Sequence, residues 1–460
     1  MKYLKNYNLI EYINQVKNIN KNDLKYFYTQ TFGCQQNEND TEKINGMLIQ
    51  MGYKYTEDKN IADIIIFNTC AVREHAELRV FGSIGALKRY KEKKPSLIIG
   101  ICGCMAQQEH IVKQLKEKYK TVNMIFGPQA INNFPKILLG TLTENKTIID
   151  ISENHEISEE IPIQRLSDHK AWVSIMSGCN NFCSYCVVPY VRGREKSRKP
   201  EIVLSEIKSL LDNGYKDITL LGQNVNSYNA NNNSKYDFAD LLKDINNLKG
   251  KFRIRFMSSH PKDLSIKLID TIAECDKICK HIHLPFQSGS NRILELMNRR
   301  YTRENYLELI KYAKEKIPGV VFTSDIIVGF PTETDQDFED TLDIIEKVGY
   351  DGLYTFIYSK RKNTPAYEME NHISKEIKNK RFQQLLDKQE QLATEMNKQY
   401  HGQIIEILCD GLSANGEYMT GRTDTNKIVN FDVNDIKAGE FANIKIEKEL
   451  NWALFGKIVK

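Results

Sequence analysis

The chain has 460 residues, more than one hydrophobic core usually serves, so we expect two or three domains. A content of 41% hydrophobic and 27% charged residues is typical of a soluble globular protein. The apolar runs are far shorter than the roughly 20 residues that span a bilayer, and the amino terminus lacks a secretory signal. We therefore expect a cytoplasmic protein with no membrane partner, whose ten cysteines stay reduced. The net charge of +4 permits nucleic-acid binding without requiring it.

Residues 1–24 place apolar side chains at helical spacing and predict an N-terminal helical extension. From 25 to 141, apolar strands alternate with polar helical segments, which predicts a doubly wound parallel sheet. Cys34, Cys70 and Cys104 each follow one of its first three strands, where ligands bind in such sheets. Their spacing alone leaves open whether they are ligands or small core residues.

The rest of the chain predicts a linker, a second α/β region and a small all-β region. Residues 142–164 are polar and acidic without periodicity and predict a linker. From 165 to 396, six strands alternate with helices, which predicts a partial (β/α)6 barrel whose active site lies in the loops after the strands. Short strands separated by turn residues in 397–460 predict a small antiparallel β-barrel.

The segment "SGCNNFCSYC" places Cys179, Cys183 and Cys186 in the loop after the first strand of the partial barrel. Cysteines at this spacing can bind three irons of an iron–sulfur cube and leave the fourth iron open. Structural zinc would normally need a fourth Cys or His in a second matching pair, and no Cys-x-x-Cys recurs in the sequence. A thioredoxin-like pair leaves Cys179 unexplained, and a strand-end loop is a poor place for core cysteines. The spacing therefore favours an iron–sulfur cluster.

This motif, after the first strand of a partial barrel, resembles the radical S-adenosylmethionine superfamily. The resemblance implies a 4Fe-4S cluster whose open iron binds S-adenosylmethionine, which is cleaved on reduction to a 5′-deoxyadenosyl radical. It implies that Tyr185, just before the last cysteine, lies against the cofactor. It also implies that polar and glycine residues after later strands complete the cofactor pocket: Gln223, Asn224, Gln287, Asp325 and Gly329.

Longer segments carry a more specific resemblance. These are "TFGCQQNENDTEKINGML", "NTCAVRE", "GCMAQ", "LGQNVNSY", "HLPFQSGSNRILELMNRRYTRENYL" and "SDIIVGFPTET". They closely resemble the methylthiotransferase family of radical S-adenosylmethionine enzymes, and within it the MiaB branch, from about residue 25 to the end. The resemblance implies a second 4Fe-4S cluster, also with one open iron, on Cys34, Cys70 and Cys104.

The family motif "GCMAQ" selects Cys104 rather than Cys102, although both would point to the same side of an extended strand. Cys102 is then a core residue. We expect core positions also for Cys275, Cys279 and Cys409.

Two residues depart from the MiaB pattern. Gln36 stands where Met is frequent, and Asn363 stands where Gly is common. We expect the first to alter packing near the second cluster and the second to alter the turn after the sixth barrel strand.

The MiaB branch adds a methylthio group to C2 of N6-dimethylallyladenosine at position 37 of tRNA, next to the anticodon. The C2 hydrogen of adenine is not acidic, so a radical rather than a side-chain base must activate it, and we name no catalytic acid or base. The family scheme uses two S-adenosylmethionine molecules, one as methyl donor to cluster-bound sulfur and one as radical source. It implies an electron donor such as flavodoxin or ferredoxin, a sulfur donor, and a monomeric enzyme.

The last segment resembles the TRAM module, an RNA-binding barrel, most clearly in "GRTDTNKIVNF". Because this segment holds more acidic than basic residues, a basic face would have to be built from Arg422, Lys427 and others. We predict phosphate contacts for a basic loop and three later arginines, namely Arg192, Arg194, Lys196, Arg198, Lys199, Arg299, Arg300 and Arg303. A charged run by itself is typical of a solvated loop. The RNA target expected is an unpaired base in the anticodon loop.

Three alternatives remain open. Two related methylthiotransferase branches act on threonylcarbamoyladenosine in tRNA or on an aspartate of a ribosomal protein. The sequence segments "HLPFQSGS" and "YTREN" argue against both branches. An alternative of a different class is a non-enzymatic zinc or iron–sulfur RNA-binding protein.

Overall fold

The computed structural model describes residues 7–71, 74–144, 146–153, 157, 159, 161–230, 235–433 and 435–459. The chain divides into an N-terminal unit and a C-terminal unit. The N-terminal unit comprises residues 1–166, 177–180 and 187–196, and the C-terminal unit comprises 167–176, 181–186 and 197–460. Of the predicted N-terminal extension, residues 1–6 lie outside the described residues. No helix in the described part of the chain is long and apolar enough to cross a membrane.

The N-terminal unit contains a six-stranded sheet in which every pair of neighbouring strands is parallel. Its strands in chain order are β1 Lys25–Phe32, β2 Tyr53–Tyr55, β3 Ile64–Thr69, β4 Ile98–Gly103, β5 Met124–Phe126 and β6 Ile148–Asp150. They lie in the order β2-β1-β3-β4-β5-β6. Every residue of β3 and β4 is buried, as expected for strands covered on both faces.

Helices cover both faces of this sheet. They are α1 Tyr7–Ile19, α2 Gln35–Gln50, α3 Glu74–Ala86, α4 Lys88–Lys93, α5 Glu109–Lys118 and α6 Phe134–Thr143. Alternate residues of β3 enter two separate cores, since Ile66 joins the core with α1, α2 and α6 and Ile65 joins the core with α3 and α5. This period of two confirms the predicted doubly wound arrangement.

The N-terminal helix and part of the predicted linker belong to the sheet domain. Helix α1 buries Leu9, Ile13 and Val16 in the core of the sheet. Residues 148–150, within the predicted linker, form the edge strand β6 beside β5. A three-residue strand is too short to show alternation, which explains why the sequence pattern did not reveal it.

The central part of the C-terminal unit contains two three-stranded parallel sheets, in the orders β11-β10-β7 and β12-β13-β14. A single parallel bridge, Ile254 with Ile278, adds to β11 on the side towards β12. The bounds are β7 Lys170–Ser174, β8 Met176–Ser177, β9 Lys196–Ser197, β10 Asp217–Leu221, β11 Arg253–Phe256, β12 His281–His283, β13 Val321–Val328 and β14 Gly352–Ile357. The six predicted barrel strands correspond to β7 and β10–β14, which confirms the partial barrel.

Helices lie between and after these strands in the sequence, and the first of them belongs to the N-terminal unit. They are α7 Val188–Arg192, α8 Pro200–Asp212, α9 Phe238–Asn246, α10 Ile266–Glu274, α11 Asn291–Leu296, α12 Arg303–Lys316, α13 Asp335–Val348 and α14 Lys375–Lys398. Six of them begin at a residue whose side chain accepts a hydrogen bond from a backbone N–H of the first turn. These capping residues are Asp237, Ser265, Ser290, Thr302, Thr334 and Ser374.

The chain ends in a closed five-stranded barrel of order β15-β16-β17-β19-β18. Its strands are β15 Ile404–Leu412, β16 Met419–Arg422, β17 Ile428–Phe431, β18 Phe441–Glu449 and β19 Leu454–Val459. Ile407, Val429 and Leu454 are among the side chains that fill it. The pairing differs from the prediction in one respect, because β17 and β19 are parallel while the other neighbours are antiparallel.

Ion pairs join the small barrel to the amino ends of the partial-barrel strands. Lys170, the first residue of β7, lies 2.6 Å from Asp410 of β15. Lys427 lies 2.6 Å from Asp351, which immediately precedes β14. Arg255 of β11 donates to the carbonyl oxygen of Thr423 at 3.0 Å. The small barrel therefore leaves the carboxyl ends of the strands available for a ligand.

Candidate cofactor sites

The Cys-x-x-x-Cys-x-x-Cys loop follows β8 and is held in an irregular conformation. Cys179 belongs to the N-terminal unit, where its N–H donates to the Gly193 carbonyl at 3.0 Å. Within the C-terminal unit, Cys186 N–H donates to the Cys183 carbonyl at 2.9 Å. Phe182 adopts a left-handed φ of 49°. Two of the three thiols, those of Cys179 and Cys183, are buried.

Residues at the end of α11 fix this loop. The Ser184 hydroxyl donates to the Leu296 carbonyl at 2.8 Å, and the Asn298 side chain donates to the Phe182 carbonyl at 3.0 Å. Tyr185 packs on an apolar cluster that includes Phe330. Burial, the largest cause, raises the pKa of Tyr185, so its hydroxyl stays protonated.

Arg299 is buried beside this loop. Its Nη1 lies 3.4 Å from the sulfur of Cys183, and its Nη2 donates to the Pro285 carbonyl at 2.6 Å. The guanidinium also stacks on the ring of Tyr301, 5.4 Å from the ring centroid. The prediction that Arg299 contacts RNA phosphate is wrong, because its side chain is enclosed.

Two buried side-chain oxygens with no partner in the described part of the chain lie after strands of the C-terminal unit. After β10, Asn224 donates through Nδ2 to Asp263 at 2.7 Å, while its Oδ1 is buried. The Oε1 of Gln287, after β12, is likewise buried. Neither oxygen has a hydrogen-bond partner among the described residues. Burying an oxygen without a hydrogen bond lowers the stability of the folded protein, and a polar ligand that donates to it would remove this cost.

The segment after β11 was missed by the sequence analysis. Ser259 Oγ and His260 Nε2 are also buried without a partner among the described residues. Ser258, just before them, has a left-handed φ of 65°. Burial, the largest cause, lowers the pKa of His260, so its imidazole is neutral. The signal available in the sequence was "FMSSHP", a polar run directly after a predicted strand.

The remaining predicted pocket residues lie at neighbouring strand ends. Gln287 has a φ of 66°, and its N–H donates to the Asp325 carbonyl at 2.9 Å. The Asp325 carboxylate lies 3.5 Å from Nε2 of His283. Gly329 has a φ of 69°, and its N–H donates to Glu333 at 2.7 Å. Gln223 is half-buried after β10.

The second cysteine set lies at the carboxyl ends of β1, β3 and β4, which are adjacent in the sheet. Strand register pairs Phe32 with Thr69 and Thr69 with Gly103, so Cys70 and Cys104 each follow directly on a paired residue. Cys34 begins α2, and the Cys70 N–H donates to the Phe32 carbonyl at 3.0 Å. The structure therefore brings the three thiols to one edge of the sheet.

Burial and the neighbouring thiols together control the charge state of Cys104. Burial, the largest cause, raises the pKa of Cys104 to about 12, with smaller contributions from Cys70 and Cys34. The guanidinium of Arg192 acts in the opposite direction. A buried thiol whose pKa is raised in this way is stabilised as a thiolate when a metal centre binds its sulfur.

An amide network, also missed by the sequence analysis, supports this edge. The thiol of Cys34 donates to Asn37 Oδ1 at 3.3 Å, and Asn37 Nδ2 donates to Asn68 Oδ1 at 2.9 Å. Asn68 also donates to the hydroxyl of Thr41 at 3.1 Å. The sequence signal was a polar residue in the otherwise apolar strand "IIIFNTC".

Arg192 enters the same group of residues. The residue is buried, and its Nε lies 3.2 Å from the sulfur of Cys104. One terminal nitrogen donates to the carboxylate of Asp40 at 2.8 Å. The prediction that Arg192 contacts RNA phosphate is therefore wrong. A charge paired inside the protein is not available to solvent.

Other predicted phosphate contacts are also engaged internally. Arg198 donates to Glu206 at 2.7 Å, and Arg303 pairs with Asp343. The prediction that Arg198 and Arg303 contact RNA phosphate is therefore wrong, because each is paired with a carboxylate of the protein. Among the residues predicted to contact phosphate, Arg194, Lys196, Lys199 and Arg300 are exposed.

Cys102 and Cys104 point into different surroundings, contrary to the expectation from an extended strand. Cys102 lies in the core beneath α1, α2 and α6, whereas Cys104 packs with Ala71, Val187 and Val191. Strand β4 ends at Gly103, whose φ of 94° turns the chain. This left-handed residue breaks the alternation that would place the two cysteines on one side.

The other cysteines occupy core positions, as predicted. Cys275 belongs to the core of the partial barrel and Cys409 to that of the small barrel, and Cys279 is buried. Among the described residues, no group of three Cys, His, Asp or Glu side chains is arranged to hold a single metal ion. The cysteines of an iron–sulfur cube each bind a different iron, so they need not converge on one ion. Cysteine sulfurs and unpartnered polar atoms at strand ends fit a cluster and a polar cofactor.

A partial barrel whose first strand is followed by Cys-x-x-x-Cys-x-x-Cys defines a radical S-adenosylmethionine enzyme. The model of the Radical SAM superfamily matches residues 173–345. A family described as Uncharacterized protein family UPF0004 matches residues 26–127, and the TRAM domain matches residues 398–459. As a member of this superfamily, the chain uses a 4Fe-4S cluster and S-adenosylmethionine.

Two relatives cover nearly the whole chain. A tRNA-2-methylthio-N(6)-dimethylallyladenosine synthase of Acetivibrio thermocellus is 48% identical over 453 residues, 98% of this chain and 94% of the relative. One of Clostridium tetani is 51% identical over 441 residues, 95% of this chain and 97% of the relative. The chain therefore belongs to the tRNA-2-methylthio-N(6)-dimethylallyladenosine synthase family, and the predicted family and enzyme class are confirmed.

A solved structure supports the fold alone. The radical S-adenosylmethionine methyltransferase TsrM of Kitasatospora setae aligns with a TM-score of 0.52 and 13% sequence identity, and the match covers 75% of each chain.

Proposed function

We propose that this enzyme converts N6-dimethylallyladenosine to 2-methylthio-N6-dimethylallyladenosine at position 37 of tRNA, next to the anticodon. The observation that carries the proposal is the presence of two cysteine sets, Cys179–Cys186 in the barrel loop and a second set at the sheet edge. Transfer of a methylthio group needs both a means of activating an inert C–H bond and a source of sulfur. The nucleoside substrate in this proposal is taken from the names of the two relatives that match nearly the whole chain.

In this proposal Cys179, Cys183 and Cys186 hold the 4Fe-4S cluster that binds S-adenosylmethionine. Bound together, the cluster and S-adenosylmethionine supply the radical chemistry that an adenine C2–H bond requires. The protein binds and orients the cofactor and excludes water. Unpartnered Asn224 and Gln287 oxygens accept hydrogen bonds from its polar groups.

The other predicted pocket residues have positioning roles in the same proposal. Tyr185 provides an apolar support beside the last cysteine, and Gln223 and Asp325 offer further polar groups at the strand ends. Gly329 permits a left-handed backbone after β13 and close packing against α14, since a Cβ there would lie 2.3 Å from Cγ of Lys378. Ser259 and His260 join this group on the strength of their buried, unpartnered atoms.

Cys34, Cys70 and Cys104 hold a second 4Fe-4S cluster with one open iron. When bound, this cluster supplies the site at which sulfur is held. Support comes from the adjacent strand ends that carry the cysteines and from the guanidinium that offsets thiolate charge. No side chain is assigned as a general acid or base, because the C2 hydrogen is not acidic.

RNA binding is assigned to the TRAM barrel and to the exposed basic side chains of Arg194, Lys196, Lys199 and Arg300. Such side chains pair with backbone phosphates, while the modified base is unpaired and splayed out. The proposal includes a flavodoxin or ferredoxin as electron donor and a separate sulfur donor. It also includes action as a monomer in the cytoplasm, where tRNA is modified.

Mass spectrometry of tRNA nucleosides tests the proposal. Cells that lack the protein should accumulate N6-dimethylallyladenosine and lose its 2-methylthio derivative, and the gene in trans should restore it. Persistence of the methylthio product would refute the proposed reaction. Accumulation of a different precursor would instead assign the enzyme to another branch.

Anaerobic reconstitution tests the cofactor assignment. We expect about eight irons per chain, falling to about four when either set of three cysteines is changed to alanine. One or two zinc ions and no cleavage of S-adenosylmethionine would support a non-enzymatic RNA-binding protein instead.

A further inference from the structure

We propose that Arg192, positioned by Asp40, sets the reduction potential of the cluster held by Cys34, Cys70 and Cys104. The inference rests on the second cluster of the proposed function. Arg192 acts as a positioning and tuning residue, because its described contacts are with protein groups. Its effect is exerted through the sulfur of Cys104.

The geometry places a permanent cation against a single ligand sulfur. Nε of Arg192 lies 3.2 Å from Cys104 Sγ, within reach of an N–H···S hydrogen bond. A terminal nitrogen of the same guanidinium, Nη2, donates to Asp40 at 2.8 Å. The side chains of Arg192 and Asp40 are only 5% and 6% exposed, so solvent screens this field weakly.

Burying an arginine is costly unless strong partners compensate for its lost hydration. Asp40 neutralises one edge of Arg192 but leaves Nε for the sulfur. Asp40 comes from the first helix turns after Cys34, and Arg192 comes from α7, six residues after Cys186 in sequence. A merely structural ion pair would not need to place a second donor on a cysteine sulfur.

The sign of the effect follows from charge. Reduction adds negative charge to a cluster, and N–H donors and positive charge at its sulfurs favour the reduced state. Arg192 should therefore raise the potential, whereas the carboxylate of Asp40 should lower it. Removal of these two side chains is expected to shift the potential in opposite directions.

Arg299 offers an internal comparison in the C-terminal unit. Its Nη1 lies 3.4 Å from the sulfur of Cys183, and it too is buried. Each cysteine set thus has one buried arginine that contacts one sulfur. The two arginines provide matched variants, because each touches a cysteine of a different set.

The experiment uses the full chain with Cys179, Cys183 and Cys186 changed to alanine, so that only the second set can bind a cluster. The midpoint potential is measured by redox titration with electron paramagnetic resonance after anaerobic reconstitution. Asp40→Asn should raise the potential of this background. Adding Arg192→Met to Asp40→Asn should then disfavour the reduced state about tenfold, which lowers the potential by about 59 mV for one electron.

The Asp40→Asn background removes the risk that Arg192→Met leaves a buried, unpaired carboxylate and fails to fold. Arg299→Gln is the control, because its sulfur partner Cys183 is absent from this background, and it should leave the potential unchanged. If the Asp40→Asn, Arg192→Met chain binds about four irons and has the same potential as the Asp40→Asn chain, the inference is overturned and the proposed function stays intact. A background chain that binds no iron would overturn the second cluster and this inference together.

Discussion

Asn224 and Asp263 are joined by a hydrogen bond of 2.7 Å, which fixes the side-chain amide at the carboxyl end of β10. With Nδ2 engaged, Oδ1 of Asn224 stays buried without a partner among the described residues. The contact therefore orients an acceptor that the protein itself does not use. An oriented, dehydrated acceptor is well suited to bind a polar donor of the cofactor.

We predict that Asn224→Ala weakens binding of S-adenosylmethionine to the reconstituted enzyme about tenfold, because one hydrogen bond in a buried site is worth about 1.4 kcal/mol. Equilibrium dialysis with labelled S-adenosylmethionine measures the change. Asn213→Ala, at the exposed end of α8, removes the same atoms and should have no effect. Equal affinities for the Asn224→Ala and unchanged enzymes would exclude Asn224 from the cofactor site.

Gly103→Ala should destabilise the N-terminal unit. Gly103 has a φ of 94°, and a Cβ there would lie 2.3 Å from Asn68 Oδ1 and 2.5 Å from the Thr69 carbonyl oxygen. We expect a loss of about 3 kcal/mol in the free energy of unfolding, measured by urea titration. Gly82→Ala is the matched control, because its Cβ would meet nothing within 4 Å and alanine favours the helix α3 by up to about 1 kcal/mol. Similar effects of the two substitutions would contradict the turn assigned to Gly103.

Asp337→Asn should lower stability in a pH-dependent manner. Burial raises the pKa of Asp337, but hydrogen bonds from Arg292, Ser290 and Thr334 outweigh burial and hold the pKa below its ordinary value. A lowered pKa in the folded state means that ionised Asp337 contributes stability above about pH 4, and that this stability is lost as the pH falls through the folded-state pKa.

The measurement for Asp337 compares the Tm of variant and unchanged protein at pH 7 and pH 3. At pH 7 we expect the variant to lose about 2 kcal/mol, the contribution typical of hydrogen bonds to a charged group. The difference should shrink at pH 3. Glu339→Gln, an exposed position on the same helix, should change Tm little at either pH. A difference that does not depend on pH would rule out ionised Asp337 as its source.

Trp452→Ala should weaken tRNA binding. Trp452 is 64% exposed on the small barrel, and its ring centroid lies 6.3 Å from that of Phe455, which also contacts Tyr418 at 5.5 Å. Stacking of a base on such a surface is worth about 1–3 kcal/mol, so we expect about tenfold weaker binding.

Tryptophan fluorescence checks this prediction directly, because the chain has two tryptophans, Trp172 and Trp452. In a Trp172→Phe chain, the signal comes from Trp452 alone and should be quenched as tRNA is added. The Trp172→Phe change itself should leave the affinity unaltered. Absence of quenching with unchanged affinity in Trp452→Ala would show that RNA does not contact this surface.

Some turns and strand ends of this protein follow from local sequence alone. The turn at Asn363 is one example, because its left-handed φ of 67° is the conformation that a glycine would also adopt. The strand-end positions of both cysteine sets are another, since apolar periodicity marks where each strand ends. Strand β6 was not recognised because three residues carry too little pattern.

The basic residues illustrate what local sequence could not reveal. Arg192 and Arg198 occur in the same charged run, yet one contacts Asp40, 152 residues away, and the other contacts Glu206. The run resembles a solvated loop because neither counter-charge lies within the run itself, and that of Arg192 is distant in sequence. Arg299 was also predicted to contact RNA, although its side chain is buried against Cys183 and the Pro285 carbonyl.

The sequence by itself determined the cysteine motifs, the order of strands and helices, and the family, because these depend on spacing and residue type along the chain. Only the tertiary structure decided which cations are buried, which amide oxygens lack partners and which way Cys102 and Cys104 face. These properties depend on contacts between distant segments, where burial makes an unpaired charge or polar atom costly. They also identify Arg192 as a neighbour of Cys104 rather than a contact of RNA.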